Sequence, residues 1–261
     1  MVTQLLDEIP VSAVFVIFAI ISLLFYEIGF RLGRWYQERT PGETEGLTGM
    51  LVGSLLALMA FLLAVTMGMA SDRFDTRRGL VLEEANAITT TFLRAGYLPD
   101  EQGGQLQELL REYAVQRPLV TDRVTLTSAI AESERILDKL WATSQEVART
   151  TDQGDLVSLY LDSLNELIDL HEMRIAAGIY ARVPETVLFL LIFGSALSIG
   201  MVGYNAGLTE RRSLVSAVVL IVALGAVTML VIDLDRPRDG FIQVSQQPLL
   251  DVQQEIGLPS P

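Results

Sequence analysis

An uncharged run of 22 residues, Gly49 to Ala70, constrains this chain more than any other feature. A helix of that length crosses a bilayer core of about 30 Å. The run passes without a proline into a charged stretch that extends to Arg94. This pattern predicts one continuous helix that leaves the membrane and becomes the first helix of a water-exposed domain. The charges after the run are Asp72, Arg73, Asp75, Arg77, Arg78, Glu83 and Glu84.

Three further apolar runs have the length of a membrane span: 11–30, 187–208 and 213–232. The first is predicted to be a retained span rather than a secretory signal, because residues 1–10 hold two acids and no basic residue. Half of the residues are hydrophobic. A soluble chain of this size rarely contains several apolar runs of this length. The sequence therefore predicts a polytopic, all-α membrane protein, with the lipid bilayer as its partner.

The polar segment between the second and third spans has helical periodicity and no alternating pattern of strand type. It predicts a helix that ends near Gly96, followed by helices at 105–116, opened by Gly103 and Gly104, at 122–149 and at 155–182. The predicted organisation is a bundle inserted between two pairs of spans. Its parts are spans 1 and 2 (1–71), the water-exposed helical domain (72–182), spans 3 and 4 (183–233) and a C-terminal tail that docks on the helical domain (234–261).

The second span carries a ridge of small residues at steps of four and three. Such ridges let helix backbones approach closely in a membrane, where lipid offers no hydrophobic drive for helix association. Two interpretations stay open: packing on another span of the same subunit, or contact around a symmetry axis between subunits. The ridge consists of Gly49, Gly53, Ala57, Ala60, Ala64 and Gly68.

Glu27 is the one charge within the first span. An ionisable group in a membrane helix is a functional candidate by default, because its burial is costly. The alternative is that Glu27 lies at the interface and pairs with Arg31 one turn on.

A second group of charges follows the fourth span and lies, by the count of crossings, on the same membrane face as Asp72. The two groups are predicted to form one ion-pair network at the interface. Arginines flank both sides of the predicted membrane region, and their distribution favours a cytoplasmic helical domain only slightly. The second group consists of Asp233, Asp235, Arg236 and Arg238.

Composition argues against several function classes. The net charge of −13 argues against nucleic acid as a partner. The absence of cysteine excludes disulfides and thiolate metal sites. We find no catalytic triad or phosphate loop, and His171, the one histidine, has no second nitrogen ligand nearby in the sequence. No enzyme, cofactor or metal is therefore expected.

Four long motifs resemble the Bestrophin-like domain family, a bacterial and plant group of membrane proteins of unknown function. They are EIGFRLGR (27–34), RFDTRRGLVLEEANAITTTFLRA (73–95), HEMRIAAGIYARVP (171–184) and DLDRPRDGFIQVSQQPLLD (233–251). The family is distantly similar to bestrophins, pentameric chloride channels in animals with cation-conducting bacterial relatives. The resemblance implies a homo-oligomeric ion channel of a bacterial inner membrane, with the second span lining the pore. Bestrophin pores narrow at a neck rich in aromatic side chains, whereas this span holds one aromatic residue, Phe61.

On this reading a set of apolar side chains of the second span faces the pore as a constriction. Arg73, Arg77 and Arg78 would attract anions at its mouth, and the neighbouring acids offset them, so ion preference stays open. The alternative function is a non-conducting membrane-anchored interaction or sensory module that uses the acidic helical domain. The pore-lining candidates are Met50, Leu58, Phe61, Val65 and Met69.

Overall fold

The computed structural model describes residues 9–39, 45–117, 123–209, 212–237 and 240–258. Within these ranges the secondary structure is helical and contains no strand, so the predicted all-α class is confirmed there. The predicted turn at 40–43 and Arg238 lie outside the described residues. The helices are α1 (Val11–Arg39), α2 (Glu45–Ala95), α3 (Asp100–Gln116), α4 (Arg123–Thr150), α5 (Gly154–Ile179), α6 (Glu185–Leu208), α7 (Leu214–Asp235) and α8 (Gln247–Glu255).

The chain forms two compact units. The first, the membrane unit, comprises Met1–Phe74 and Arg182–Gln243, and the second, the bundle unit, comprises Asp75–Ala181 and Val244–Pro261. Helix α2 contributes to both, because it runs for 51 residues without a break. Among the described residues, α1, α2, α6 and α7 are long and apolar enough to cross a membrane.

In the membrane unit, α1 and α6 pack with their backbones in contact. A Cβ atom on Gly29 would lie 2.0 Å from the carbonyl oxygen of Gly200, and one on Gly33 would lie 2.2 Å from that of Tyr204. Such contact lets two helices gain van der Waals energy in lipid, where apolar burial gives little. Helix α1 extends nine residues beyond the predicted end of its span, and Gly33 in this extension belongs to the same contact.

The bundle unit has an apolar core drawn from α2, α3, α4, α5 and α8. Helix α3 begins at Asp100, five residues before its predicted start at Gln105. Gly103 and Gly104 lie inside it rather than in the turn before it. Gly103 is needed there because its Cβ position lies 2.6 Å from the carbonyl oxygen of Ala95, at the end of α2.

Helix α8 packs against α3 within the bundle unit. The side chain of Gln253 donates a hydrogen bond to the carbonyl of Ala114 at 2.9 Å. Arg111 Nε donates to the carbonyl of Ile256, also at 2.9 Å. Leu249 and Val252 are buried in the same core, so this short helix closes one side of it.

Candidate functional site

The membrane half of α2 is buried on one narrow stripe. Advancing 100° per residue, its buried residues fall within about 60° of the helix circumference. Of an apolar 18-residue window in this helix, 17% is buried, against 28%, 39% and 33% for α1, α6 and α7. The span is therefore the least covered of the four in one protomer. The buried stripe consists of Thr48, Met59, Leu63, Thr66 and Ala70.

The opposite side of α2 holds both the small-residue ridge and the pore-lining candidates. A Cβ atom on Gly49, Gly53 or Gly68 would meet no described atom within 4 Å. The candidates fall within about 100° of arc next to the ridge, so the two sets together occupy about 200°. Met69 is half-buried. The other four candidates are exposed: Met50 by 73%, Leu58 by 52%, Phe61 by 64% and Val65 by 46%.

A buried polar cluster, hereafter the Glu84 cluster, lies in the bundle unit. Arg117 approaches Glu84 with two nitrogens: Nε lies 2.6 Å from Oε1, and Nη2 donates to Oε2 at 3.0 Å. Arg174 Nη1 donates to Oε2 at 2.5 Å, and its Nη2 donates to Gln246, just before α8, at 2.6 Å. One carboxylate thus joins α2, α5 and Arg117, the residue that follows α3.

Tyr113 and His171 complete the Glu84 cluster. The Tyr113 hydroxyl donates to Glu84 Oε1 at 2.6 Å and lies 3.2 Å from His171 Nδ1. Since a phenol has one proton, its oxygen accepts from histidine, and His171 carries its proton on Nδ1. His171 Nε2 is then an unprotonated acceptor, and it is buried with no hydrogen-bond partner in the described chain.

The charge states in the cluster follow from burial and from the two guanidinium groups. Burial alone would raise the pKa of Glu84, but the charges of Arg117 and Arg174 outweigh it, and the pKa lies below its ordinary value. Burial, and after it the charge of Arg117, lowers the pKa of His171 to about 4. Burial also raises the pKa of Tyr113 well above its ordinary value. At neutral pH the cluster holds one anion, two cations and two neutral rings.

The charges after the second span differ in exposure. Arg77 and Glu84 are buried, with 6% and 0% of their surface exposed, so neither presents its charge at the protomer surface. Arg73 is half-buried. The exposed members of the group are Asp72, Asp75, Arg78 and Glu83.

The charges at the end of α7 anchor loops of the membrane unit. Asp233 accepts backbone hydrogen bonds from Phe241 and Ile242, each at 2.9 Å. Asp235 accepts the backbone N–H of Val183 at 2.8 Å, and Arg236 donates to the carbonyl of Ile9 at 2.8 Å. The ion-pair network expected between these charges and residues 72–78 stays a prediction.

The model of the Bestrophin-like domain matches residues 15–249. The chain belongs to the Bestrophin-like domain family. Two crystal structures of a bacterial bestrophin homologue from Klebsiella pneumoniae are similar in fold, at TM-scores of 0.64 and 0.62 and identities of 16% and 12%. They cover 92% and 93% of this chain and 98% of their own. No curated protein matches.

Family membership and the four apolar helices indicate an integral membrane protein. Among the described residues of this Bestrophin-like chain, no group of three His, Asp or Glu residues is placed to hold a metal ion. His171 instead makes a hydrogen bond between helices, in the Glu84 cluster.

Glu27 pairs with Arg31 at 2.9 Å, the pairing one turn apart that its spacing predicts. The structure adds a second partner, because Arg212 Nη2 lies 2.7 Å from the other carboxylate oxygen. Arg212 is 185 residues away, in the connection before α7. No local sequence signal indicates a contact at that separation.

Proposed function

We propose that this Bestrophin-like protein is a homo-oligomeric ion channel in which the membrane half of α2 lines the pore. The observation that carries the proposal is the uncovered side of α2. About 200° of its circumference, holding the small-residue ridge and the pore-lining candidates, contains no buried residue in one protomer. A lipid-facing span would not need a ridge of small residues on its exposed side.

A symmetric ring accounts for both exposed arcs. In cyclic assemblies a helix next to the axis contacts one neighbour on each side and faces the axis between them. The small ridge suits the contact with a neighbouring α2, since small side chains let backbones approach. The adjacent arc of larger apolar side chains then faces the axis as a constriction that gates by exclusion of water.

The pore mouth on this proposal carries mixed charge. Arg73 and Arg78 attract anions there, whereas Asp72, Asp75 and Glu83 attract cations. The buried Arg77 and Glu84 do not contribute surface charge. The selectivity is therefore set by which of the exposed groups faces the axis in the assembled ring.

The sequence pattern and the resemblance to bestrophins together supply the finer features of the proposal. The oligomer is a pentamer, and the helical domain of residues 72–182 is inserted between two pairs of spans. The protein lies in a bacterial inner membrane with that domain in the cytoplasm, and inorganic ions are its transported partners.

Planar bilayers test the proposal directly. Purified full-length protein is expected to give discrete single-channel currents, whose reversal potential in asymmetric salt gives the ion preference. The absence of currents across pH, calcium concentration and voltage would contradict it. Averaged particle images give an independent readout, since a ring with a central hole supports the channel and a closed dimer opposes it.

A second candidate is a non-conducting interaction module. Three acids at helical spacing, Asp162, Glu166 and Asp169, are exposed on α5 and would suit a basic partner. Capture of a specific partner by the full-length protein in detergent, lost when these acids become glutamine, would favour the module. If no specific partner is captured, the channel is the better account.

A further inference from the structure

One face of α1 is exposed from Ile17 to Arg39 and changes from apolar to cationic along the helix. Its apolar part consists of side chains that are 46–56% exposed. The next residues at helical spacing are two arginines with a tryptophan between them. All of these positions fall within about 100° of arc. In order, the face consists of Ile17, Ile20, Leu24, Ile28, Arg31, Trp35 and Arg39.

The cationic end of this face has defined geometry. The guanidinium of Arg39 lies 4.1 Å from the centre of the Trp35 ring, a cation–π contact. The side chain of Arg31 is 78% exposed although its Nε contacts Glu27. The other carboxylate oxygen of Glu27 contacts Arg212, whose side chain is 45% exposed.

The local charges do not balance at this end. Arg31 and Arg212 share one acid, Glu27, and Arg39 has no ion pair among the described residues, which leaves two positive charges. Arg34, on a different side of α1, is neutralised by its contact with Glu38 at 3.3 Å. The excess charge therefore lies at the end of the apolar face and not elsewhere on this part of the helix.

We propose that this face binds an anionic phospholipid. The acyl chains lie along the apolar residues, and the phosphate contacts Arg31 and Arg39. Guanidinium groups match phosphate oxygens with paired hydrogen bonds. Tryptophan prefers the headgroup level of a bilayer, which places Trp35 beside the phosphate. The site is independent of ion conduction, because α2 has no part in it.

Trp35 provides the measurement. The chain has two tryptophans, so Trp141→Phe leaves Trp35 as the sole tryptophan, whose emission can be excited selectively. The Trp141→Phe protein is reconstituted into two sets of phosphatidylcholine vesicles. One set contains a small fraction of phosphatidylglycerol brominated near the headgroup, and the other contains the same fraction of phosphatidylcholine brominated near the headgroup. Brominated phosphatidylglycerol is expected to quench Trp35 at lower mole fractions than brominated phosphatidylcholine.

Two substitutions and a matched control test the residues. Each basic residue near a membrane surface contributes about 1 kcal/mol of attraction to anionic lipid, or about fivefold in affinity. Arg31→Gln and Arg39→Gln should each lower the preference for phosphatidylglycerol by about fivefold, and Arg34→Gln should leave it unchanged. Circular dichroism verifies that each variant keeps its helices. Arg39→Gln breaks no ion pair among the described residues, so it carries the test if Arg31→Gln misfolds.

Three results would overturn the proposal. The parent protein could show no preference between the two lipids, or Arg34→Gln could lower it as much as Arg31→Gln. Alternatively, neither lipid could quench Trp35, which would mean that protein rather than lipid covers this face.

Discussion

The carbonyl oxygen of Tyr26 lies 2.2 Å from the position that a Cβ atom on Gly203 would occupy. Helix α1 and helix α6 therefore touch through their backbones at this point. Gly207 repeats the relationship one turn later, against the carbonyl of Phe30 at 2.3 Å. These backbone contacts stabilise the membrane unit by van der Waals packing, because burial of apolar surface gives little free energy in lipid.

Gly203→Ala should destabilise the membrane unit. The added methyl group forces the two backbones apart, and overpacking of this kind costs about 1–3 kcal/mol. Thermal unfolding in detergent would show a lower midpoint. Gly104→Ala is the matched control, since a Cβ there meets no described atom within 4 Å. The unfolding midpoint of Gly104→Ala should be unchanged or slightly higher than that of the parent, because alanine favours a helix more than glycine does. Equal midpoints for the two variants would contradict the packing argument.

Glu84→Gln should destabilise the bundle unit strongly. The substitution leaves Arg117 and Arg174 without their carboxylate, and removal of one partner of a buried ion pair costs about 3–5 kcal/mol. The adjacent exposed residue gives the control, Glu83→Gln, for which a change within about 0.5 kcal/mol is expected. Chemical denaturation followed by far-UV circular dichroism measures both. A Glu84→Gln protein as stable as Glu83→Gln would show that the cluster contributes nothing.

His171 should make stability depend on pH between about 6.5 and 4. In the unfolded chain histidine takes up a proton as the pH falls through about 6.5. The folded protein does not do so until the pH nears the lowered pKa of about 4. The unfolded state therefore binds more protons in this window, and up to about 3 kcal/mol of stability is lost as the pH falls.

His171→Asn isolates this effect, because the asparagine amide can still donate to Tyr113 but does not titrate. Its unfolding midpoint should fall less than that of the parent between pH 6.5 and 4. The pKa of Glu84 is lowered, so its stabilisation begins to be lost as the pH falls through about 4.5, but both proteins contain Glu84 and share this loss. Parallel pH profiles for the two proteins would refute the assignment.

The helices could be predicted from the sequence because their signals are local. Uncharged runs located α2, α6 and α7 to within a few residues, and apolar periodicity located α4 and α5. The start of α3 was missed because Gly103 and Gly104 are typical of a turn. The need for glycine at position 103 depends on Ala95, whose approach no local pattern shows. The glycine contact between α1 and α6 had a visible signal, the spacing of four in Gly29 and Gly33.

The Glu84 cluster could not be predicted in the same way. Glu84 stands beside Glu83 in a charged stretch, and nothing local distinguishes the buried acid from the exposed one. Its partners Arg117 and Arg174 lie 33 and 90 residues away. The assignment of the pore-lining residues stays a prediction, since it depends on contacts between protomers.

Cysteine modification during single-channel recording tests the central claim most directly. The native chain has no cysteine, so a single introduced thiol is the only reactive site. In Phe61→Cys and Val65→Cys, a charged water-soluble thiol reagent should change the current if, as proposed, these positions face an aqueous pore. Ile20→Cys, on the exposed apolar face of α1, should not respond. A pore lined by α2 would be contradicted if the current did not change on modification at either α2 position, or if it changed equally in Ile20→Cys.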